Sequence, residues 1–198
     1  MASLKIILPG HSLRTAAEDL VKTVYAKQYG ARISTFPPVL AALMTPAGVP
    51  YCAAGLRVGL RDCFSETYLD HAIQDVFSKA IGEPVPRDQI LEITGLASIR
   101  VGASFALFRE IALYGRGRGM RFSVFTATQR LRQVIKATRV PLIELSPAQK
   151  SRVENPEDWG TYYDNNPWVC GLADTFLRQT KSRLSTHRCP ADSNLQAA

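Results

Sequence analysis

Ile90-Leu91-Glu92-Ile93-Thr94-Gly95-Leu96-Ala97-Ser98 is apolar over most of its length and carries one charge, Glu92, between Leu91 and Ile93. An apolar run this continuous marks a strand covered on both faces. The chain beyond Ser98 alternates cleanly. Phe105, Phe108, Ile111 and Ala112 fall on one face of a helix over 102–114; 121–126 reads as a strand, 129–138 as a helix and 141–145 as a strand. Strand, helix, strand, helix, strand at this spacing predicts right-handed crossovers and parallel pairing.

Towards the N-terminus, a strand-like run over 4–8 closes at Pro9-Gly10. Leu13, Ala17, Leu20, Val21, Val24 and Tyr25 then recur at helical spacing, with Thr15-Ala16-Ala17-Glu18 as a capping box and Gly30 as the stop. Residues 39–44 and 51–58 read as two strands of a hairpin joined by TPAGVP. Leu69, Ile73, Val76, Phe77 and Ala80 mark a second helix that ends near Gly82 and Pro84. Beyond the alternating unit, a polar stretch over 146–166 leads to a last strand around 168–172. The final residues are poor in apolar side chains and carry Arg178, Lys181, Arg183 and Arg188. One domain over 1–175 is expected, with a basic, flexible tail over 176–198.

Of 198 residues, 46% are hydrophobic and 21% charged, a globular composition that excludes disorder and coiled coil. No uncharged apolar run approaches the ~18–20 residues that cross a bilayer. The short run over 6–8 falls well below a secretory signal core, so a cytoplasmic protein is expected. Cys52, Cys63, Cys170 and Cys189 lack C-x-x-C spacing and read as reduced thiols, and the three histidines lie far apart. No metal site is expected. With 24 Lys and Arg against 17 Asp and Glu, the formal charge of +7 attracts anionic partners. The arginines are scattered without a helix-turn-helix or zinc-finger pattern, which does not point to nucleic acid. Anionic lipid, an acidic carrier protein or a phosphate-bearing small molecule fits the same sign.

Glu92 is the anomaly. A carboxylate inside a doubly covered strand is costly unless it is paired or used. Desolvation pushes such a group toward the proton affinity that a general base for an amine needs; a salt bridge with Arg57 on the neighbouring strand is the alternative. Past the strand, Gly95, Gly102, Ala103 and Ser104 lie where it turns into a helix. Free N–H groups at a helix start bind phosphate, and glycine lets the ligand approach, although an ordinary turn has the same composition. Glu66, Tyr68 and Asp70 in SETYLD form a second polar cluster, in which Asp70 or Ser65 is the expected cap of the second helix. Tyr162 and Tyr163 supply either a phenolic acid or packing.

Strand, helix, hairpin and then the alternating unit resembles the element order of the GCN5-related N-acetyltransferase fold, with one additional helix between the hairpin and the central strand. That fold is an α/β (α+β) chain whose central mixed sheet has helices on both faces. YCAAGLRVGLRDCFSETYLDHAIQDVF, ILEITGLAS, FSVFTATQRLR and WGTYYDNNPWV strongly resemble the thermostable hemolysin family over about residues 15–175. CAAGLRVG with ILEITGLA is also similar to the acyl-homoserine-lactone synthases. These resemblances imply that Glu92 lies at an acyl-transfer site, with Arg57 and Glu66 as further catalytic candidates. They also imply that Leu96, Ala97 and Ser98 pair with pantetheine and that Gly102, Ala103 and Ser104 hold a pyrophosphate, with Thr126 and Thr128 at the point where the sheet splays. Thr94 and Gly95 stand where the lactone synthases have Ser-Arg, so adenosylmethionine does not carry over. Gly115-Arg116-Gly117-Arg118-Gly119 resembles the cofactor loop of many acetyltransferases, but it closes a helix instead of opening one and reads as a turn.

The activity implied is N-acyl transfer from acyl carrier protein or acyl-CoA to a small-molecule amine. Arg116, Arg118, Arg130 and Arg132 are expected to flank the opening and steer an acidic carrier toward it. The family name supplies a rival, a membrane-active hemolysin-like protein. It ranks lower because each amphipathic helix is expected in the core. A third reading is a non-catalytic module that binds acyl-CoA or acyl carrier protein.

Overall fold

The computed structural model describes residues 3–59 and 62–173; the expected tail over 176–198 lies outside the described residues. Seven strands form one mixed sheet: β1 (Ser3–Ile7), β2 (Val39–Met44), β3 (Pro50–Val58), β4 (Ile90–Ser98), β5 (Phe122–Ala127), β6 (Ile143–Pro147) and β7 (Trp168–Ala173). Their order is β1-β2-β3-β4-β5-β7-β6. β1 to β4 pair antiparallel, β4 and β5 parallel, and β7 runs antiparallel to both β5 and β6. The helices are α1 (Arg14–Tyr29), α2 (Ile73–Ile81), α3 (Ala103–Arg116) and α4 (Gln129–Ala137).

Alternate side chains of a strand point to opposite faces, and here both faces are covered. Leu43, Ala54, Ile93, Phe125 and Cys170 pack with Leu107 and Ile111 of α3 and Ile135 of α4. On the other face Leu40, Ala42, Ala53 and Ala97 meet Ala17, Val21 and Tyr25 of α1. Ile90, Phe122, Val124 and Val169 meet Ile73 and Phe77 of α2 on that same face. Burying a side chain such as Phe77 whole is worth about 1.5–3 kcal/mol. α2 lies close to the sheet because Gly171 has no side chain: a Cβ there would sit 2.5 Å from the Phe77 ring.

Three local readings are corrected. β6 runs in the same direction as β5, as the crossover rule requires, but β7 lies between them. Burial explains the order: β7 is buried at four of its six residues, while β6, with Glu144, Ser146 and Pro147, is fit for an edge. The capping box at Thr15 does not form. α1 starts at Arg14, whose guanidinium pairs with Glu18 at 2.6 Å and donates to the carbonyls of Pro37 and Pro38. This tether of the loop over 31–38 displaces a cap worth about 1 kcal/mol. The second helix begins at Ile73, after a 3-10 turn over Phe64–Tyr68. Glu66, and neither Asp70 nor Ser65, accepts its first N–H, from Ile73 at 2.8 Å.

Candidate active site

β4 and β5 part company halfway along. They pair only from Ile90↔Phe122 to Ile93↔Phe125, after which β5 stays with β7 and β4 with β3. The edge of β4 over 94–98 that faces β5 is therefore left without a strand partner, and its N–H and C=O groups need another one. A bulge lies at the point of divergence. The β3 register steps from Ala53↔Ala97 to Gly55↔Thr94, which inserts one extra residue into β4, and Gly95 there has a φ of 57°. Left-handed glycine is the usual means of building such a bulge, and bulges re-aim a strand. Leu96 consequently packs toward α3, while its neighbour Ala97 returns to the α1 face.

A cavity of about 570 Å³ occupies the splay and is lined from both sides of the sheet. The α3 and α4 side is apolar: Ile93, Leu96, Phe108, Phe125 and Leu131, with the Phe108 and Phe125 rings 4.9 Å apart. The α1 side is aromatic and polar: Tyr25, Phe36, Arg57, Tyr68, Trp159 and Tyr162. Residues 31–38 reach the sheet because of Gly55, where a Cβ would lie 2.4 Å from Pro37 and 2.7 Å from Thr94 Oγ1. That segment is stitched to 154–162. The Arg32 N–H donates to the Asp158 carbonyl at 2.6 Å, its guanidinium holds the Asp158 carboxylate at 2.6 Å, and Thr161 N–H donates to the Tyr29 carbonyl at 2.8 Å.

Glu92 has no exposed surface. Its carboxylate accepts from Arg57 Nη1 at 3.1 Å, the N–H of Phe64 at 2.9 Å, the N–H and Oγ of Ser65 at 2.6 and 2.7 Å, and Cys63 Sγ at 3.5 Å. Burial, reinforced by the charge of Glu92, pushes the Cys63 thiol up, so it stays a donor. The salt bridge with Arg57 is thus present, within a nest of neutral donors from the 3-10 turn. Arg57 lines the cavity and Glu92 does not. Glu66 sits in a shallow depression beside α2. Arg87 holds it through Nη1 and Nη2, and those hydrogen bonds keep its carboxyl below its ordinary value.

The residues expected around a donor divide between several positions. Leu96 and Thr126 line the cavity. Ala97 is buried against α1, and Ser98 bonds the Arg100 carbonyl at 2.8 Å. Gly102, at φ 76°, turns the chain into α3, whose first turn holds the buried Ala103, Ser104 and no acidic residue. The Ala103 N–H donates to the Arg100 carbonyl at 3.3 Å, and helix starts of this kind leave the next N–H groups open. Thr128 caps α4 by accepting from Leu131 N at 3.5 Å. The expected ring of arginines needs correcting. Arg132 is buried on Glu144 and the Asn166 carbonyl. Arg116 and Arg118 lie at the far end of α3, about 20 Å from its start at 1.5 Å per residue. Arg130 alone of the four is exposed near the cavity, at the start of α4. The Gly-Arg run closes α3 as expected, with Arg118 3.7 Å from the centre of the Tyr114 ring.

Sequence reasoning did not single out Tyr25, Phe36, Trp159, Phe108 or Leu131 as site residues. The signal for the 31–38 wall was a glycine, Gly55, in an otherwise buried strand, with Pro37-Pro38 upstream.

The family model for thermostable hemolysin matches residues 7–175. No curated protein matches the sequence. Among solved structures, FeeM, an N-acyl amino acid synthase from uncultured soil microbes, is similar with a TM-score of 0.63 and 14% identity, over 90% of this chain and 94% of FeeM. BjaI, a CoA-dependent acyl-homoserine lactone synthase solved with SAM and isopentyl-CoA, gives 0.58 at 12% identity, over 93% of this chain and 90% of BjaI. The AHL synthase LasI gives 0.58 at 11%, over 87% and 90%. At such identities these likenesses establish the fold, the acetyltransferase-like α/β arrangement expected from the element order. Among the described residues no His, Cys, Asp and Glu cluster is suited to a metal ion, and no helix is long and apolar enough to cross a membrane.

Proposed function

Because the chain belongs to the thermostable hemolysin family and has an unpaired strand edge running along a cavity, we propose that it is an N-acyltransferase. Its donor is a phosphopantetheine thioester, of acyl-CoA or acyl carrier protein, and its acceptor a small-molecule amine. Such thioesters are made inside the cell, so the proposal places the protein in the cytoplasm. The splay of β4 from β5 carries this reading. An amide-rich pantetheine arm is the kind of ligand that completes a half-paired strand. The α3 start, with Gly102, Ala103 and Ser104, would take the pyrophosphate, and Leu96 with Thr126 would flank the arm. Three structures of the same fold are acyl-transferring synthases by name, which supports the class of reaction.

In the reaction the amine nitrogen attacks the thioester carbonyl, and a C–N bond forms as the carbonyl electrons move to oxygen. N–H groups on the β4 edge would stabilise that oxyanion. Collapse breaks the C–S bond. The thiolate leaves with the electron pair and takes up the proton that the nitrogen gives up, so the products are an amide and a free thiol. With donors on both oxygens, Glu92 acts in this proposal as a positioning residue that fixes Arg57 and the 3-10 turn at the cavity wall.

The test is turnover. Purified protein is mixed with decanoyl thioesters of coenzyme A and of carrier protein and a panel of primary amines. Thiol release that depends on the amine, with the matching amide in the mass spectrum, is expected. A thioester bound but never consumed would make this a binding module, and dye release from lipid vesicles without any donor would make it a lytic protein.

A further inference from the structure

Arg57 has more donors than its structural duty requires. A carboxylate offers about four lone-pair directions, and Glu92 already receives four hydrogen bonds from neutral groups of residues 63–65. Arg57 adds a fifth through Nη1 alone. Its Nε and Nη2 have no acceptor among the described residues, and the side chain, about a quarter exposed, lines the cavity. A guanidinium pinned at one nitrogen and open at the others is preorganised for a second, bidentate anion.

Its position decides which molecule brings that anion. Arg57 lies opposite Glu92, six residues before Ser98, which is about 20 Å along the strand at ~3.3 Å per residue. The α3 start lies beyond Ser98, so the donor's phosphates are at the other end of β4. Thr94, where the strands part and the thioester carbonyl would lie, is only two steps from Glu92, about 7 Å. An anion held by Arg57 therefore belongs to the molecule that meets the carbonyl. Two further groups face the same space. Tyr25 and Tyr162 line the cavity at 7% and 5% exposure, and their phenol oxygens have no hydrogen-bond partner among the described residues. Burial raises both phenols, so they remain neutral hydrogen-bonding groups.

Building on the acyltransferase reading, we propose that the acceptor is an amino acid whose carboxylate docks on Arg57, with Tyr25 and Tyr162 completing its polar contacts and Glu92 holding the guanidinium in place. The reaction then yields an N-acyl amino acid, an acidic amphiphile, and returns the donor as its thiol.

A competition between acids and their amides tests this. Full-length protein receives decanoyl-CoA and the twenty amino acids, and in a parallel reaction the same twenty as α-amides, which keep the amine and lose the charge. Loss of a charge-assisted pair predicts that the best amino acid exceeds its own amide about 30-fold or more in kcat/KM. Arg57→Lys keeps a counter-charge for Glu92 but loses the fork, and should reduce that ratio about 10-fold. Tyr162→Phe, which leaves packing intact, should raise KM for the amino acid with little change in kcat. Glu92→Gln should do likewise, whereas a general base would lose kcat. Calorimetric titration of the donor-free protein with the best acid and its amide adds a readout apart from turnover: only the acid should bind. Amides used as well as acids, or acylation of neutral amines alone, would overturn the carboxylate site and leave acyl transfer standing. No amide bond formed with any amine would overturn both.

Discussion

The two halves of the cavity are built on different physics. On the α3 and α4 side the wall is hydrocarbon and aromatic carbon, held by packing alone: Phe108 against Phe125, and Leu96 and Leu131 against the shared core. On the α1 side the wall is a set of short segments that meet through aromatic rings, Tyr25 on Tyr162 and Phe64 on Trp159. They are further tied by charge and backbone hydrogen bonds: Arg14 on Pro37 and Pro38, Arg32 on Asp158, Thr161 on Tyr29, and, outside the cavity, Arg87 on Glu66 of the 3-10 turn that supplies Phe64 and Tyr68. A packed wall discriminates by volume, at about 0.8 kcal/mol per methylene. A wall of fixed dipoles and charges discriminates by chemistry, because an unmatched polar group there is left unpaired. Placing one on each side of a splayed strand edge suits a reaction between a long apolar donor and a short polar acceptor.

The largest effect should come from the residue that lets the polar wall approach the sheet. Gly55→Val puts carbon where Pro37 and Thr94 Oγ1 already stand, 2.4 and 2.7 Å from the new Cβ. Segment 31–38 has to lift, and overpacking of this kind costs about 1–3 kcal/mol. Misplacing the acceptor by an ångström should lower kcat/KM about 100-fold, while binding of the donor, measured by calorimetry with acyl-CoA, changes little. Equal loss of donor binding would mean that the halves are not separable.

A smaller effect, confined to the other half, is expected from Leu131→Trp. The indole fills apolar space beside Phe108 and Phe125. At about 0.8 kcal/mol per methylene, exclusion of two or three carbons should shift the preferred acyl chain shorter and raise KM for the original donor roughly 10-fold or more. Acceptor KM stays constant in this expectation. A change in acceptor KM with no change in chain-length preference would place Leu131 on the wrong side of the division.

The core of the packed half is legible in the sequence; of the tied half, α1, Tyr162 and the Arg57–Glu92 pair are legible, and the ties between its loops are not. Ile90 to Ser98, the helix after it and the strand after that announce themselves through periodicity, because a core needs apolar residues at fixed intervals. Glu92 stands out for the same reason, as the one charge in a run that cannot be solvated. The tied half consists of loops whose contacts are long-range pairs. Nothing in the local sequence of Arg32 points to Asp158, or of Arg14 to Pro37. Glu66 shows the limit well. SETYLD reads locally as a cap supplied by Asp70 or Ser65, but Ser65 turns to Glu92 and Asp70 to Arg152, leaving Glu66 to accept from Ile73. The place of β7 between β5 and β6 is another long-range choice, set by which strand has the more buried pattern.

The smallest effect separates the halves by pH. Arg87 and the Ile73 N–H hold the Glu66 carboxyl below its ordinary value of 4.5. The unfolded chain therefore binds more protons than the folded one over the range just below that value, and stability rises with pH through it. The contribution is complete above about pH 4.5 and is lost as pH falls through the lowered folded value. For a partly exposed pair it is about 1 kcal/mol or less. Glu66→Gln should thus unfold at a lower temperature than the parent at pH 7, and the gap should narrow as the melts are repeated toward pH 3. Phe125→Leu, a purely apolar change in the packed half, should lower the melting temperature by an amount that does not narrow with acid. If the Glu66→Gln gap stayed constant with pH while the Phe125→Leu gap closed, the assignment of charge to one wall and packing to the other would be reversed.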